Sequence, residues 1–152
     1  MQDFHEIIQK AKKKIKDKKY NSALELLSYF SENDSLDEDY FITKGVVYER
    51  LKKYKSALSE YSKAININSN NADIYKIRGD VKSKLKKYDE SILDYTRALE
   101  IDPLLVSAIN NRGISRETLG DLNAAFEDYS LAIKLNPKFA SPYCNRGIIK
   151  DF

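Results

Sequence analysis

The sequence predicts an all-α fold of stacked antiparallel helix pairs, and three observations predict it. Informative residues return every 34 positions: Ile109, Gly113, Gly120, Ala125, Tyr129, Ala132 and Pro137 are answered one period earlier by Tyr75, Gly79, Ser91, Tyr95, Ala98 and Pro103. Earlier shifts give Phe41, Gly45, Ala57, Tyr61 and Ala64, then Ile7, Ala11, Ala23 and Leu27, with Phe30 in the last small-residue slot; a forward shift gives Tyr143 and Gly147. A second marker keeps the same period, as Lys18-Lys19-Tyr20, Lys52-Lys53-Tyr54 and Lys86-Lys87-Tyr88. Within each period, apolar residues fall at helical 3–4 spacing in two stretches separated by a short turn. Self-similarity at a fixed period is the signature of a repeat architecture.

The elements follow in order. Phe4, Ile7, Ile8, Ala11 and Ile15 mark a first helix, with lysines on its other face from Lys10 to Lys16. A second helix is expected from about Asn21 to Phe30, with Ala23, Leu24, Leu26, Leu27 and Phe30 inward, followed by a polar loop from Ser31 to Asp37. The third helix starts near Asp37, and acids in its first turn suit the helix dipole. Phe41, Lys44, Gly45 and Tyr48 share a face of that helix, Lys52-Lys53 is its turn, and Ala57, Leu58, Tyr61, Ala64 and Ile65 mark its partner. The Asn/Ser-rich run from Asn66 to Asn71 ends that pair. Tyr75, Arg78, Gly79 and Lys82 mark the next helix, and Ser91, Ile92, Tyr95, Ala98 and Leu99 its partner, which Pro103 stops. Gly120-Asp121 is the turn of the following pair, and one further helix starts at about Ser141.

The unit resembles the tetratricopeptide repeat. That family's pattern is a large residue, a small residue four on, then small-xxx-aromatic-xx-small and a closing Pro. Ala125-Phe126-Glu127-Asp128-Tyr129-Ser130-Leu131-Ala132 with Pro137 fits it, while the absence of Trp and Ser35 and Ser69 in place of the closing Pro depart from it. The resemblance implies a right-handed superhelical solenoid of antiparallel helix pairs. It divides residues 4–152 into a single array: a degenerate repeat 4–37, repeats 38–71, 72–105 and 106–139, and a half repeat 140–152, after a tail 1–3. A degenerate first repeat suits the capping role of terminal units in solenoids.

A helix-interior glycine costs roughly 0.5–1 kcal/mol against alanine, so its recurrence at 45, 79, 113 and 147 needs a steric reason. The expectation is a close helix crossing. The small residues Ala57, Ser91, Ala125, Ala64, Ala98 and Ala132 would offer the facing surface, with Tyr61, Tyr95 and Tyr129 filling the space between neighbouring units.

Composition excludes several function classes. No window of roughly 20 apolar residues exists, so no membrane span is expected. Seven lysines and no apolar block in the first twenty residues leave no visible secretory signal. One cysteine, Cys144, cannot form an internal disulfide, which suits a reducing, cytoplasmic setting. A net charge of +3 and no basic ladder along the repeats give no argument for nucleic acid. One His and one Cys at opposite ends of the array, His5 and Cys144, offer neither a metal set nor a thiol dyad, and no glycine-rich loop exists to cradle a phosphate. Asp89, Glu90 and Asp94 are read as the solvated convex face. No enzyme, cofactor or metal is therefore expected.

What remains is the concave surface lined by the first helix of each pair. Carried over by resemblance, the groove positions that stand out are Ile42, Val46, Lys76, Ile77, Asn110, Asn111, Ile114, Asn145 and Ile148. Aliphatic residues there replace the polar ones a purely structural face would carry. Asn111 and Asn145 recur at one slot, and an Asn can donate to and accept from a peptide main chain at once. They read equally well as a local Asn-Arg-Gly habit of the family. The carboxylate clamp of some family members matches only Lys76 and Asn111, with Asp80, Ser141 and Asn145 in its other three slots. The expected function is thus non-enzymatic binding of a protein or peptide segment in the groove. Two alternatives stand beside it: a self-assembling piece that homodimerises through its C-terminal helix, and the targeting part of a longer protein. Gly147 has no partner helix within the sequence, which favours either a fragment of a longer array or an end packed on another copy through Tyr143 and Gly147.

Overall fold

A computed structural model of the chain describes residues 4–30 and 37–150, the last three by their backbone alone. These residues form α1 (Phe4–Lys16), α2 (Tyr20–Leu27), α3 (Glu38–Arg50), α4 (Tyr54–Ile67), α5 (Ala72–Lys84), α6 (Tyr88–Ile101), α7 (Val106–Thr118), α8 (Leu122–Leu135) and α9 (Ala140–Lys150), with no strand among them. The expected loop residues 31–36 lie outside the described residues. The chain divides into two compact units, Met1–Asn70 and Asn71–Phe152.

The pairs are hairpins because the same helix stop is written four times. Lys18, Lys52 and Lys86 hold φ of 58°, 58° and 60°, and Gly120 in the equivalent slot holds 86°. This left-handed residue turns the chain so that amides beyond the helix close on its last turn. In the second hairpin Lys52 N–H donates to the Glu49 carbonyl at 2.9 Å and Lys53 N–H to Tyr48 at 2.8 Å. The fourth does the same through Gly120 to Glu117 at 2.9 Å and Asp121 to Arg116 at 2.9 Å. Helix starts use short polar caps: Asp37 accepts from Tyr40 N–H at 2.9 Å, Asn71 from Asp73 at 3.1 Å and Asp121 from Ala124 at 3.2 Å.

In unit 1, Ile8, Ala11, Ala23, Leu27, Tyr40 and Val47 form a buried cluster. Here α2 differs from the sequence expectation, ending at Leu27 rather than Phe30. Phe30 occupies the slot that alanine holds in the other repeats, where helices approach too closely for a ring. The helix stops first, and Phe30 packs edge-on against Phe4 and Tyr40, at 4.8 and 6.0 Å between centroids. Tyr40 seals the carbonyl of Leu27 with a 3.0 Å hydrogen bond.

The mid-helix glycines mark close approaches, but to a different neighbour than expected. A Cβ on Gly45 would stand 2.5 Å from the Tyr61 ring, one on Gly79 2.8 Å from Tyr95, and one on Gly113 2.6 Å from Tyr129. The tyrosines therefore fill their own hairpins. In unit 2 a small residue does the job assigned to them: Ser91 on α6 meets Ser115 on α7 at 2.9 Å, joining consecutive hairpins. The reason is size. A ring needs the pit that a missing Cβ leaves, whereas two backbones meeting across a hairpin boundary need short side chains on both sides.

A second correction concerns Asp94. It is buried, only 4% exposed. Arg78 grips it through Nε at 2.9 Å and Nη2 at 2.7 Å, and Lys82 adds a 2.9 Å contact. Asp128 is held alike by Arg112 at 3.0 and 2.7 Å and by Arg116 at 2.9 Å. These carboxylates cross-link the two helices of their hairpins; Asp89 and Glu90 are exposed as expected.

Candidate functional site

Each unit carries a cleft on the side of its first-in-pair helices. The cleft of unit 1 lies between α1 and α3, has a volume of about 350 Å³, and is lined by Lys12, Ile15, Lys16, Asp39, Ile42, Thr43 and Val46. Its walls are aliphatic because the 3–4 spacing of Ile42 and Val46 puts both on one face of α3. Lys12 bridges to Asp39 at 2.7 Å across the two helices. Thr43 is buried, and its Oγ1 has no partner among the described residues.

The cleft of unit 2, also about 350 Å³, lies between α5 and α7 and is lined by Asp80, Ser83, Lys84, Tyr95, Asn111 and Ile114. Its floor is a line of joined polar groups. Tyr95 from α6 donates its hydroxyl to Asp80 at 2.9 Å, and Asn111 donates Nδ2 to the same oxygen at 2.8 Å. Lys76 closes the other Asp80 oxygen at 2.7 Å. The line continues as Asn110 donates to Asn111 at 3.2 Å and Asn145 donates to Asn110 at 3.3 Å. Burial, with Asp80 beside it, pushes the Tyr95 phenol well above its ordinary range, so it stays a donor. Asn111 spends one N–H and one lone pair within this line. Its amide also meets the Tyr95 hydroxyl.

The residues expected in the groove are thus sorted by the structure. Ile42 and Val46 line the cleft of unit 1, and Asn111 and Ile114 that of unit 2. Lys76 acts on the second cleft through Asp80, while Ile77 is half-buried on α5 and lines neither cleft. Asn110 is 3% exposed, so it supports Asn111 and Asn145 and offers no surface of its own; a helix position next to a groove slot points inward as readily as outward. Asn145 is half-buried on α9, and the side chain of Ile148 lies outside the described residues. Tyr95 was missed as a lining residue. Its period marks it as core, and only its hydroxyl reaches the cleft.

Among the described residues no group of three or more His, Cys, Asp or Glu could hold a metal ion, and no helix is long and apolar enough to cross a membrane. His5 and Cys144 are both exposed, and Cys144 is a free thiol.

Models of the tetratricopeptide repeat match residues 38–71, 72–103 and 106–139, three consecutive hairpins of the fold. The chain belongs to the tetratricopeptide repeat family. Comparison with curated proteins gives no match. Among solved structures, the tetratricopeptide array is similar to MamA, at a TM-score of 0.88 and 18% identity over 95% of this chain and 79% of that one. It is similar to the first repeat domain of Spaghetti (RPAP3) bound to the HSP90 peptide SRMEEVD, at 0.74 and 24% over 78% and 94%. It is also similar to the second repeat domain of human RPAP3 in complex with the HSP70 peptide SGPTIEEVD, at 0.68 and 29% over 70% and 89%.

Proposed function

We propose that this chain is a non-catalytic interaction module that holds an extended peptide or protein segment in these clefts. The observation that carries the reading is the Asn111–Asp80 floor of unit 2. There an amide fixed by Asp80 lines the cleft beside the aliphatic Ile114, a polar and an apolar contact side by side for a peptide. The aliphatic cleft of unit 1, with Ile42 and Val46, suits an apolar side chain of a bound segment. Asn145, Ile77 and Ile148 extend the binding face on this reading, and residues 4–37 and 140–152 act as a degenerate and a half repeat of one array working in the cytoplasm.

The segment differs from the acid-ended peptides in the RPAP3 complexes. Asp80 stands where a carboxylate clamp needs an uncharged donor, and its neutralisation by Lys76 consumes a clamp cation. A neutral or basic segment is therefore the expected ligand.

Peptides selected by phage display against the full chain provide the test, followed by titration of one selected peptide and of SGPTIEEVD. Asn111→Ala with Asn145→Ala should weaken the selected peptide by roughly 1–3 kcal/mol, two hydrogen bonds, with an unchanged helical signal. SGPTIEEVD should not bind the parent chain. Selected peptides that ignore both Asn changes but are lost on replacing exposed Asp89 would put the site elsewhere.

A further inference from the structure

Cations crowd α1. Seven lysines stand against two acids, Glu6 and Asp17, between Phe4 and Lys19, whereas the whole chain carries a net charge of only +3. Lys10 with Lys14, and Lys12 with Lys16, are like-charge pairs at the i, i+4 spacing, which works against a helix. The same spacing divides the lysines between two sides of α1. Lys12 and Lys16 line the cleft with α3, where Asp39 answers Lys12 at 2.7 Å. Lys10, Lys13 and Lys14 line a different cavity with Asp17 and with Leu26 of α2, about 320 Å³ in volume. Lys10 meets Glu6 in an exposed pair at 2.7 Å. Lys13 and Lys14 form no ion pair among the described residues.

We propose that this cavity of the α1–α2 hairpin docks an acidic peptide segment of a partner protein, seating an apolar side chain on Leu26 while flanking carboxylates meet Lys13 and Lys14. Charge specifies an anion. Glu6 and Asp17 leave the three lysines in excess, and an incoming carboxylate relieves the repulsion between Lys10 and Lys14. Shape specifies the kind of anion. Lysine lays its methylene stem on apolar surface and keeps its ammonium in water, so the stems and Leu26 make an apolar bottom under a cationic rim. A peptide supplies a side chain for the bottom and carboxylates for the rim together. An anionic bilayer presents a plane of headgroups, which leaves a concavity unfilled. Single-stranded nucleic acid stacks its bases on aromatic rings, and none lines this cavity. The site lies apart from the two clefts described above, and its failure would leave the cleft reading intact.

The probes are two labelled peptides, EELEELEE and EESEESEE, titrated with the full chain by fluorescence anisotropy at low salt. EELEELEE should bind saturably, and about threefold or more tighter than EESEESEE, because only leucine gains from the apolar bottom. Lys13→Gln with Lys14→Gln should weaken EELEELEE by about fivefold or more, whereas the same charge loss in unit 2, Lys134→Gln with Lys138→Gln, should change it by less than about twofold. Leu26→Ser should remove the margin between the two probes, with circular dichroism checking that the hairpin still folds; the lysine variants test the rim independently of that. Four results would overturn the proposal. One is no saturable binding of EELEELEE. Another is equal binding of the two probes by the parent chain, which would mean diffuse charge attraction. A third is a larger loss from Lys12→Gln with Lys16→Gln, which would seat the probe in the cleft of unit 1. The last is parent chain that sediments with phosphatidylserine vesicles through Lys13 and Lys14 while neither variant pair alters peptide binding, since the occupant would then be a bilayer.

Discussion

Glu60 in unit 1 and Asp94 in unit 2 occupy equivalent rungs of their hairpins, and both are buried. Asp94 is met by Arg78 and Lys82 from the preceding helix, at 2.7 and 2.9 Å. The residues in those two slots of unit 1 are Lys44 and Tyr48. Lys44 points instead to the Tyr40 hydroxyl at 3.3 Å, Glu60 has only Lys63 at 3.9 Å, and its Oε2 is buried without a partner among the described residues. The same backbone rung can thus carry a cross-link or merely accommodate a carboxylate. A buried charge depends strongly on its partner, because losing one side leaves the other desolvated.

Removing the cation tests that difference most severely. Arg78→Met should destabilise unit 2 by roughly 3 kcal/mol, the low end for a broken buried pair because Lys82 remains on Asp94. Lys44→Met in unit 1 should cost less than about 1 kcal/mol, in the range of half-exposed positions. Equal losses in urea unfolding would mean that the rungs are equivalent after all.

The glycine pits extend the comparison to α9. Gly79→Leu and Ala98→Leu should each cost roughly 1–3 kcal/mol through overpacking. Gly147→Leu should cost nothing in the isolated chain, since its face is open. Parent-like melting of both unit 2 variants would refute the hairpin packing described above.

A smaller contrast separates the first three hairpin turns from the fourth. Lys86→Gly should stabilise by about 0.5 kcal/mol, the relief of a left-handed non-glycine residue less the added freedom of the unfolded chain. Gly120→Lys should lose a similar amount. Calorimetry of the pair would expose a reversed order.

At neutral pH the last effect vanishes. Burial, with a carboxylate beside each, raises Tyr95 and Tyr129 above the ordinary phenol range. The folded state therefore keeps its phenol protons after the unfolded chain has begun to lose them. Stability from this source is intact below a pH of about 10 and falls as pH rises above it. Tyr95→Phe with Tyr129→Phe should flatten that alkaline decline, and an unchanged slope in denaturation against pH would rule the two tyrosines out as its cause.

Much of the fold was legible because a period is an arithmetic property of the chain. Pro103, the Lys-Lys-Tyr triplets and Gly120 announced where helices end, and the groove slots of Ile42, Val46, Asn111 and Ile114 came with the resemblance. Asp94 was misassigned to the surface because a lone acid on an amphipathic helix is ordinarily solvated; its burial depends on cations 12 and 16 residues earlier. Asn110 and Asn111 are neighbours in sequence, yet only Asn111 lines the cleft, since that depends on how the helix is rolled against its partners.

By itself the sequence determined that this chain is helical, that its helices pair, and where each pair turns, because local spacing and backbone preference act over a few residues. Only the tertiary structure decided which side chain fills each glycine pit, which acid becomes a buried cross-link, and that Tyr95 sends its hydroxyl to Asp80. Those outcomes rest on distances of a few ångströms between residues 12 to 16 apart, and packing sets such distances.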